Sequence, residues 1–300
     1  PSRFSFVKNN LPLIFMCLYD KITCMSIIKG IKKLFALFAA ATLLFCGTGC
    51  NKIKNSIIDK FSDSPKETVR LTFPEGSTVT EIAKILEDGG VCTAEDFMEM
   101  ADDANLLAEF GFEVKNPQER TFALEGYLFP DTYDFYVGEG SSLAIGRFLT
   151  NSQEKYGALL DSCAATGYTL DEILIIASII QEEVGYPAEM SKVSSVLHNR
   201  LDSPQFPRLQ CDATGNYLEN HVAGHVTDEE YETFVEIYDT YVCKGLPAGP
   251  ITNPGLDAVN AALNPADTPY YFFISDSQNN YHYAETYSEH LELCSEAGLI

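Results

Sequence analysis

The sequence predicts an α+β protein in which a small α/β unit precedes a larger mixed domain with a buried central helix. A chain of 300 residues that is 46% hydrophobic can bury one large core and one small one. A strand-like alternation followed by two helical patterns predicts the small unit at residues 67–115. Residues 169–185 are apolar on nearly every side, which is typical of a helix buried in a large domain, here at 116–300.

The first part of the chain has the pattern of a targeting sequence. Because the sequence does not start with Met, we interpret residues 1–24 as a non-native upstream segment. Lysines followed by a short apolar run predict a signal peptide or membrane anchor at 25–50. Cys50 follows Gly-Thr-Gly, similar to a lipoprotein processing site, and is the predicted lipidation site; an uncleaved anchor is the alternative. Residues 51–66 read as a polar linker. We therefore expect a body tethered to the cell membrane and facing away from the cytoplasm.

Charge and cysteine content exclude several classes of function. The net charge is −23, and residues 1–54 carry eight basic residues and one acid, so the rest of the chain is strongly acidic. Such a body is a poor partner for a nucleic acid backbone, and we expect no nucleic acid binding. The nine cysteines include no C-x-x-C pair. They predict mostly free thiols, with two bridges and one cysteine left over among the five beyond residue 50 as the alternative, and no metal or cofactor is expected.

The small unit begins with a strand. Apolar residues alternate from Val69 to Phe73, and Ser77 or Thr78 can cap the helix that follows. A second helix is predicted after Thr93. This order resembles a LysM-like glycan-binding module, and a generic small α/β unit fits equally well.

The central helix carries two acids in its last turn. Thr169 and Glu172 form a capping box, and Gly185 is expected to end the helix in a left-handed turn. Glu183 projects along the apolar stripe, whereas Glu182 points about 100° away. Burial and the negative end of the helix dipole both raise the pKa of a carboxyl group, which predicts a general acid near pH 7. A frayed helix end with two solvated glutamates is the alternative.

Segments after the central helix are also readable. We predict a second helix over 187–201, a central strand over 268–276, a partner strand over 281–286 and a short final helix. The loop 245–255 is rich in Pro and Gly, so its fixed backbone can present main-chain groups to a ligand. His198 lacks a partner at metal-binding spacing and is expected to be an ordinary hydrogen-bonding residue.

A segment rich in aromatic residues, EGYLFPDTYDFY, spans 125–136. Its aromatic residues alternate with polar ones, so they could form a wall on which sugar rings stack. Two ordinary strands with their aromatic side chains turned inward are the alternative. The aromatic residues are Tyr127, Phe129, Tyr133 and Phe135.

Seven ordered blocks resemble the endolytic murein transglycosylases of the MltG type, also called YceG-like. The blocks are EGYLFPDTY, ASIIQEE, VSSVLHNRL, LQCDAT, GLPAGPITNPG, AALNPADTPYYFFISD and YHYAETYSEH. The resemblance implies a membrane-anchored, extracytoplasmic lyase that cuts the glycan strands of peptidoglycan, with 116–300 as its catalytic domain. The catalytic acid of the family's ASIIEKE-type motif falls on Glu183. Gln181 and Glu182 replace the motif's Glu and Lys, and the loss of a positive neighbour should raise the pKa of Glu183 further.

The resemblance implies a mechanism with one acid. Glu183 would act as general acid and then base, giving 1,6-anhydro ends; a hydrolase with Glu125 or Asp212 as second carboxylate and a non-catalytic wall-binding lipoprotein are the alternatives. Expected partners are peptidoglycan strands, the membrane and the cell-wall synthesis machinery. The predicted substrate-binding residues are Glu125, Tyr127, Asn199, Gln210, Asp212, Thr214 and Asn253.

Overall fold

The structure, a computed structural model, describes residues 66–300, which form one compact unit. The predicted upstream segment, the signal peptide or anchor with Cys50, and the linker up to residue 65 lie outside the described residues. Within them the fold is mixed α+β, as predicted: helices surround one core, and two small antiparallel sheets lie beside it.

The elements follow one another in this order along the described chain: β1 (Thr68–Thr72), α1 (Val79–Asp88), α2 (Ala94–Ala101), α3 (Asn105–Glu109), a 3-10 turn (Pro117–Glu119), β2 (Thr132–Tyr136), α4 (Ser141–Gly157), α5 (Leu160–Thr166), α6 (Leu170–Glu183), α7 (Pro187–Leu201), α8 (Asp212–Tyr217), a π-helical turn (Leu218–Val222), α9 (Asp228–Tyr238), α10 (Leu256–Leu263), β3 (Phe272–Ser275), β4 (Tyr281–Ala284) and α11 (Tyr287–Glu296).

The first sheet joins residues on both sides of the domain boundary predicted at 115/116. Strand β1 pairs with β2 in antiparallel register, from Thr68 opposite Tyr136 to Thr72 opposite Thr132. The helix after β1 starts as the sequence indicates, because Thr78 forms a complete capping box with Glu81. The small unit is therefore closed by a strand from the larger one. Its likeness to a LysM module stays a prediction.

Helix α6 is the buried central helix. Its start has the predicted capping box between Thr169 and Glu172. Its end differs from the prediction: Val184 is the extended cap, and Gly185 does not adopt a left-handed conformation. The Tyr281 hydroxyl donates to the Glu183 carbonyl oxygen at 2.8 Å. A side chain thus satisfies the free carbonyl that a left-handed glycine turn would otherwise serve.

The C-terminal sheet has two strands. Strand β3 pairs with β4, from Phe272 opposite Ala284 to Ser275 opposite Tyr281. The prediction that 268–276 forms a central strand was wrong, because among the described strands β3 has a single partner. Helices α7 and α11 pack against β3. The predicted partner strand, the helix over 187–201 and the final helix are confirmed.

The aromatic segment lies in the core and forms no sugar-stacking wall. Only its second half is a strand, β2, and its four alternating aromatic side chains are at most 9% exposed. The rings of Tyr133 and Phe148 lie 4.6 Å apart, centroid to centroid. The inward orientation of the rings in the alternative is therefore confirmed, whereas of its two strands only the second forms. Burial against α4 stabilises the rings in this orientation.

The cysteines of the described residues form no disulfide bond. Five cysteines in the described part are free thiols, as the scattered spacing predicted: Cys92, Cys163, Cys211, Cys243 and Cys294. Across residues 66–300, no single helix has both the length and the apolar composition to cross a membrane. The pair α5 and α6 satisfies both criteria together but is bent by 89°.

Candidate active site

The carboxyl group of Glu183 lies at the end of α6, between two pockets. Its side chain is half-buried, and one oxygen accepts a hydrogen bond from the Ala213 backbone N–H at 3.3 Å. The pKa of Glu183 is raised to about 7, chiefly because the group is buried; the Ala213 N–H opposes this rise, and the negative charges of Asp212 and Glu182 contribute to it. A group with this pKa is protonated in a large fraction of molecules near neutral pH.

The first pocket, here the strand pocket, has a volume of about 540 Å³ and lies against β3. Arg200 organises it: the guanidinium donates to the carbonyl oxygens of Arg208 and Tyr271 at 2.9 Å, and to the side-chain oxygen of Gln210. Gln210 adopts a left-handed backbone with φ of 56°. Because its amide oxygen is occupied by Arg200, its amide N–H groups remain to donate to a ligand.

The second pocket, here the turn pocket, has a volume of about 250 Å³ and lies on the other side of Glu183. It is enclosed by the turn at Gly76, the start of α1, the end of α6, and α8 with the π-helical turn. Glu183 and Asp212 line both pockets. Asp212 is exposed, and its carboxylate accepts a hydrogen bond from the Tyr241 hydroxyl at 2.8 Å. Two carboxyl groups therefore lie between the two adjoining pockets, which together are here called the groove.

Glu125 lies in the core, behind the wall of the turn pocket, and lines neither pocket. Its carboxyl oxygens accept hydrogen bonds from the backbone N–H of Val79 at 3.1 and 3.2 Å, from Asn253 Nδ2 at 2.8 Å, and from the Tyr217 hydroxyl at 3.2 Å. Its side chain is 0% exposed, and burial raises its pKa to about 8. Glu125 therefore joins three segments of the fold and does not reach a substrate surface.

Tyr127, Thr214 and Asn253 are also buried. The Tyr127 hydroxyl donates to Asp171 at 2.6 Å, and the Thr214 hydroxyl donates to the Cys211 carbonyl at 2.9 Å. Asn253 accepts from the Leu128 N–H at 2.7 Å and donates to the Ser77 carbonyl at 2.8 Å. Each of these residues is 0% exposed, and its polar side chain forms hydrogen bonds within the protein. This corrects the expectation that the three residues contact substrate.

Asn199 is the fifth predicted residue that the structure places away from the groove. Its amide donates to the carbonyl oxygens of Thr268 and Tyr270, both at 2.8 Å, and so fixes the chain that leads into β3. His198 is an ordinary hydrogen-bonding residue, as expected: its Nε2 donates to the Ala262 carbonyl oxygen at 3.0 Å. Of the predicted substrate-binding residues, Gln210 and Asp212 therefore lie in the groove with Glu183.

Several residues that line the groove were not predicted as site residues from the sequence. Arg200 was visible only as the end of a helix, and Tyr241 only as part of a matched block. Glu81 was readable as the third position of a capping box, and only the tertiary structure turns it towards the groove. No local pattern reports that a helix start and a distant helix end will enclose the same pocket.

The fold and the site define a class: a mixed α+β protein with one protonatable carboxyl group at the centre of a groove. Residues 51–296 match the YceG-like family, so the chain belongs to this family. This confirms the resemblance that the seven sequence blocks indicate.

Similar proteins agree with this assignment. An endolytic murein transglycosylase of Bacillus subtilis is 30% identical over 254 residues, covering 79% of this chain and 67% of that protein. An endolytic murein transglycosylase of Streptococcus pneumoniae is 26% identical over 252 residues, covering 76% of this chain but only 45% of its own length. The crystal structure of a YceG-like protein from Listeria monocytogenes aligns with a TM-score of 0.66 at 26% identity, covering 80% of each chain.

Proposed function

We propose that this chain is a lytic transglycosylase of peptidoglycan, a lyase, and that Glu183 is its single general acid and base. The relatives named endolytic murein transglycosylase support the peptidoglycan transglycosylase activity. One observation carries the assignment of Glu183: its carboxyl group, with a pKa raised to about 7, lies where the two pockets meet.

In the first step, neutral Glu183 donates its proton to the oxygen that links N-acetylmuramic acid to N-acetylglucosamine. The bond between that oxygen and C1 of the muramic acid breaks, and positive charge develops at the ring. The Asp212 carboxylate, on the same groove, can stabilise this charge. The groove continues on both sides of Glu183, so a strand can occupy it on both sides of the bond that breaks.

In the second step, the Glu183 carboxylate takes the proton of the muramic acid C6 hydroxyl. The hydroxyl oxygen bonds to C1 and closes the 1,6-anhydro ring, which regenerates neutral Glu183. One C–O bond breaks, one forms, and no water is consumed. The amide N–H groups of Gln210 in the strand pocket are suited to hold an acetamido carbonyl during both steps.

A hydrolase is the second candidate, and Asp212 is the observation that favours it. This carboxylate shares the groove with Glu183 and could activate a water as the second acid of a glycosidase pair. Glu125 does not fit this role, because it has no exposed surface. A hydrolase leaves reducing ends, whereas the lyase leaves anhydro ends.

The proposed location is the outer face of the cell membrane, with the N-terminal segment as anchor and Cys50 as the lipidation site. The basic residues and the apolar run before residue 50 support this. We extend the proposal to contacts with the cell-wall synthesis machinery, which a membrane-anchored strand-cutting enzyme would meet. A non-catalytic wall-binding lipoprotein is the remaining alternative.

Digestion of purified glycan strands tests the proposal. Wild type should release products with anhydro ends, detected by mass spectrometry as a loss of water relative to reducing ends, and Glu183→Gln should release none. Reducing ends would establish the hydrolase instead. Equal release by wild type and Glu183→Gln would overturn the role of Glu183, and no release by either would favour the wall-binding lipoprotein.

A further inference from the structure

The turn pocket concentrates negative charge next to the proposed catalytic acid. Glu81 from α1 and Glu182 from α6 line it together with the shared Asp212 and Glu183. Among its lining residues in the described chain there is no Lys or Arg. The strand pocket differs, because Arg200 provides a positive charge there. One end of the groove is therefore suited to a ligand group of positive charge.

The carboxylates of Glu81 and Glu182 are both held in place. Glu81 Oε2 accepts the Thr78 backbone N–H at 3.0 Å in the capping box of α1. Glu182 Oε1 lies directly over the turn at Gly76, where a Cβ atom would be only 2.8 Å away. Burial raises the pKa of Glu182, and the nearby charge of Glu81 raises it further. The two acids therefore repel each other, and no Lys or Arg lines the turn pocket to offset this; His221, which also lines it, lies with Nδ1 3.1 Å from the Thr78 hydroxyl oxygen.

A buried hydroxyl gives a second, independent indication of a ligand. Thr252 is 3% exposed and lines the turn pocket beside Glu182, whose pKa its hydroxyl lowers. Within residues 66–300, its Oγ1 atom has no hydrogen-bond partner at normal geometry. Buried polar atoms are nearly always paired, and an unpaired one costs about 1–3 kcal/mol. The hydroxyl of Thr252 therefore has unused hydrogen-bonding capacity, and Thr252 lines the same pocket as the two carboxylates.

We propose that the turn pocket binds a primary ammonium group carried by the substrate. This inference rests on the proposed function, since it takes peptidoglycan as the ligand. An ammonium group has three N–H donors and no acceptor, which suits the carboxylates of Glu81 and Glu182 and the hydroxyl oxygen of Thr252. A neutral sugar hydroxyl would leave the repulsion between the acids uncompensated. A metal ion is disfavoured, because no group of three metal-binding side chains occurs among the described residues.

Peptidoglycan can present such an ammonium group from two sources. One is the side-chain amine of a diamino acid in the stem peptide, and the other is the amine of a hexosamine that has lost its acetyl group. Both have the same charge and the same donors, so the pocket chemistry is shared. The position of the pocket beside Glu183 means that occupation there fixes which bond of the strand meets the acid.

Binding of strands to the full chain carrying Glu183→Gln tests the proposal without cleavage. The first arm compares fully N-acetylated strands whose peptide amine is free with the same strands after chemical acetylation of that amine. The second arm compares peptide-free strands that are fully acetylated with strands that are partly de-N-acetylated. By calorimetry, we expect the free amine to bind about fivefold more tightly in one arm, as for a partly exposed ion pair, and that arm assigns the source.

Two variants locate the effect and one controls for charge. In the Glu183→Gln background, Glu182→Gln and Thr252→Val should each remove most of the preference for the free amine. Glu109→Gln removes one negative charge from an exposed position on α3 and should leave the preference intact. Either variant alone is sufficient for this test if the other does not fold, as judged by circular dichroism.

The outcomes separate this inference from the proposed function. Equal affinity for free and blocked amines in both arms would overturn the ammonium site. A preference that persists unchanged in both pocket variants would overturn its location. An amine preference in a protein whose wild type cleaves no strand would retain the site and reject the transglycosylase, whereas cleavage without any preference would do the reverse.

Discussion

Glu125 and Glu183 are two carboxyl groups that differ in access. Burial raises the pKa of both, to about 8 for Glu125 and to about 7 for Glu183. Glu125 accepts hydrogen bonds from three neighbouring residues and has no exposed surface. Glu183 accepts a single backbone hydrogen bond and faces two pockets. A raised pKa thus identifies a buried acid, and only an open groove makes such an acid available to a substrate.

The surroundings of Glu125 explain why it is structural. Gly126 follows it with φ of 85°, and a Cβ atom there would collide with the ring of Pro250. This glycine lets the Pro- and Gly-rich loop pack onto the turn that carries Glu125, where Asn253 of the same loop meets the carboxyl group. The loop 245–255 was expected to present its backbone to a ligand, whereas these contacts show it bracing the core.

The largest expected effect is on catalysis at Glu183. Replacement by Gln removes the transferable proton and should lower the rate of strand cleavage by about 100- to 10,000-fold. The free energy of unfolding should change little, because the Ala213 N–H still finds an oxygen acceptor. Rates of product formation and urea unfolding measure the two effects. Glu125→Gln is the matched control, and a comparable loss of rate in that variant would contradict the distinction between the two acids.

The next effect is on stability at Glu125. Glu125→Ala leaves the donors of Val79, Tyr217 and Asn253 unpaired in the core and should lower the free energy of unfolding by about 3 kcal/mol. Glu125→Gln keeps an acceptor and most of the volume, so it should lose much less. Urea denaturation measures both variants. Equal stability of Glu125→Ala and wild type would show that the buried network contributes nothing.

The pH dependence of stability follows from the direction of the Glu125 shift. Its pKa rises from an ordinary 4.5 to about 8 in the folded state, so between these values the folded protein binds more protons than the unfolded chain. The stability contributed by neutral Glu125 is therefore present at low pH and lost as pH rises, by at most about 1.4 kcal/mol per pH unit. Urea midpoints of wild type should fall relative to those of Glu125→Gln between pH 5 and 8, and parallel curves would refute this.

A smaller effect concerns the pH profile of activity. Neutral Glu183 is the active form, so kcat/KM should fall above about pH 7, approaching tenfold per pH unit. Asp212→Asn removes a negative charge that raises the pKa of Glu183, so the decline should begin at lower pH. Rates measured from pH 5 to 9 locate the decline. A decline that starts at higher pH in Asp212→Asn would contradict this electrostatic account.

Local signals predicted the elements well, and tertiary placement less well. The cap expected at Ser77 or Thr78, the capping box at Thr169 and the apolar run of α6 gave correct helices, because these signals depend only on neighbouring residues. The same run pointed to Glu183, since a carboxyl group that continues a buried stripe must be partly desolvated. The end of α6 could not be predicted, because the Glu183 carbonyl oxygen is bonded by the hydroxyl of Tyr281, 98 residues away.

Block membership was a weak guide to which side chains face the groove. Glu125, Tyr127 and Asn253 belong to matched blocks, yet each is buried in a hydrogen-bond network. A residue that bonds to buried main chain and a residue that bonds to a sugar have the same polar chemistry, and sequence alone does not separate them. The strand at 268–276 was misplaced for a similar reason: a short apolar run fits a central strand and a strand covered by helices equally well.

The antiparallel pairing of β1 with β2 has a consequence for how this protein would handle a strand. Helices α1 and α2 are not connected to the larger domain by a linker alone. Strand β1, which precedes them, pairs with β2 of the domain that carries Glu183. Helix α1 contributes Glu81 to the lining of the turn pocket, and α6 contributes Glu183. In a strand-cutting enzyme, the distance between the first helices and Glu183 would therefore be set by the fold, through the pairing of β1 with β2, and would not depend on a linker.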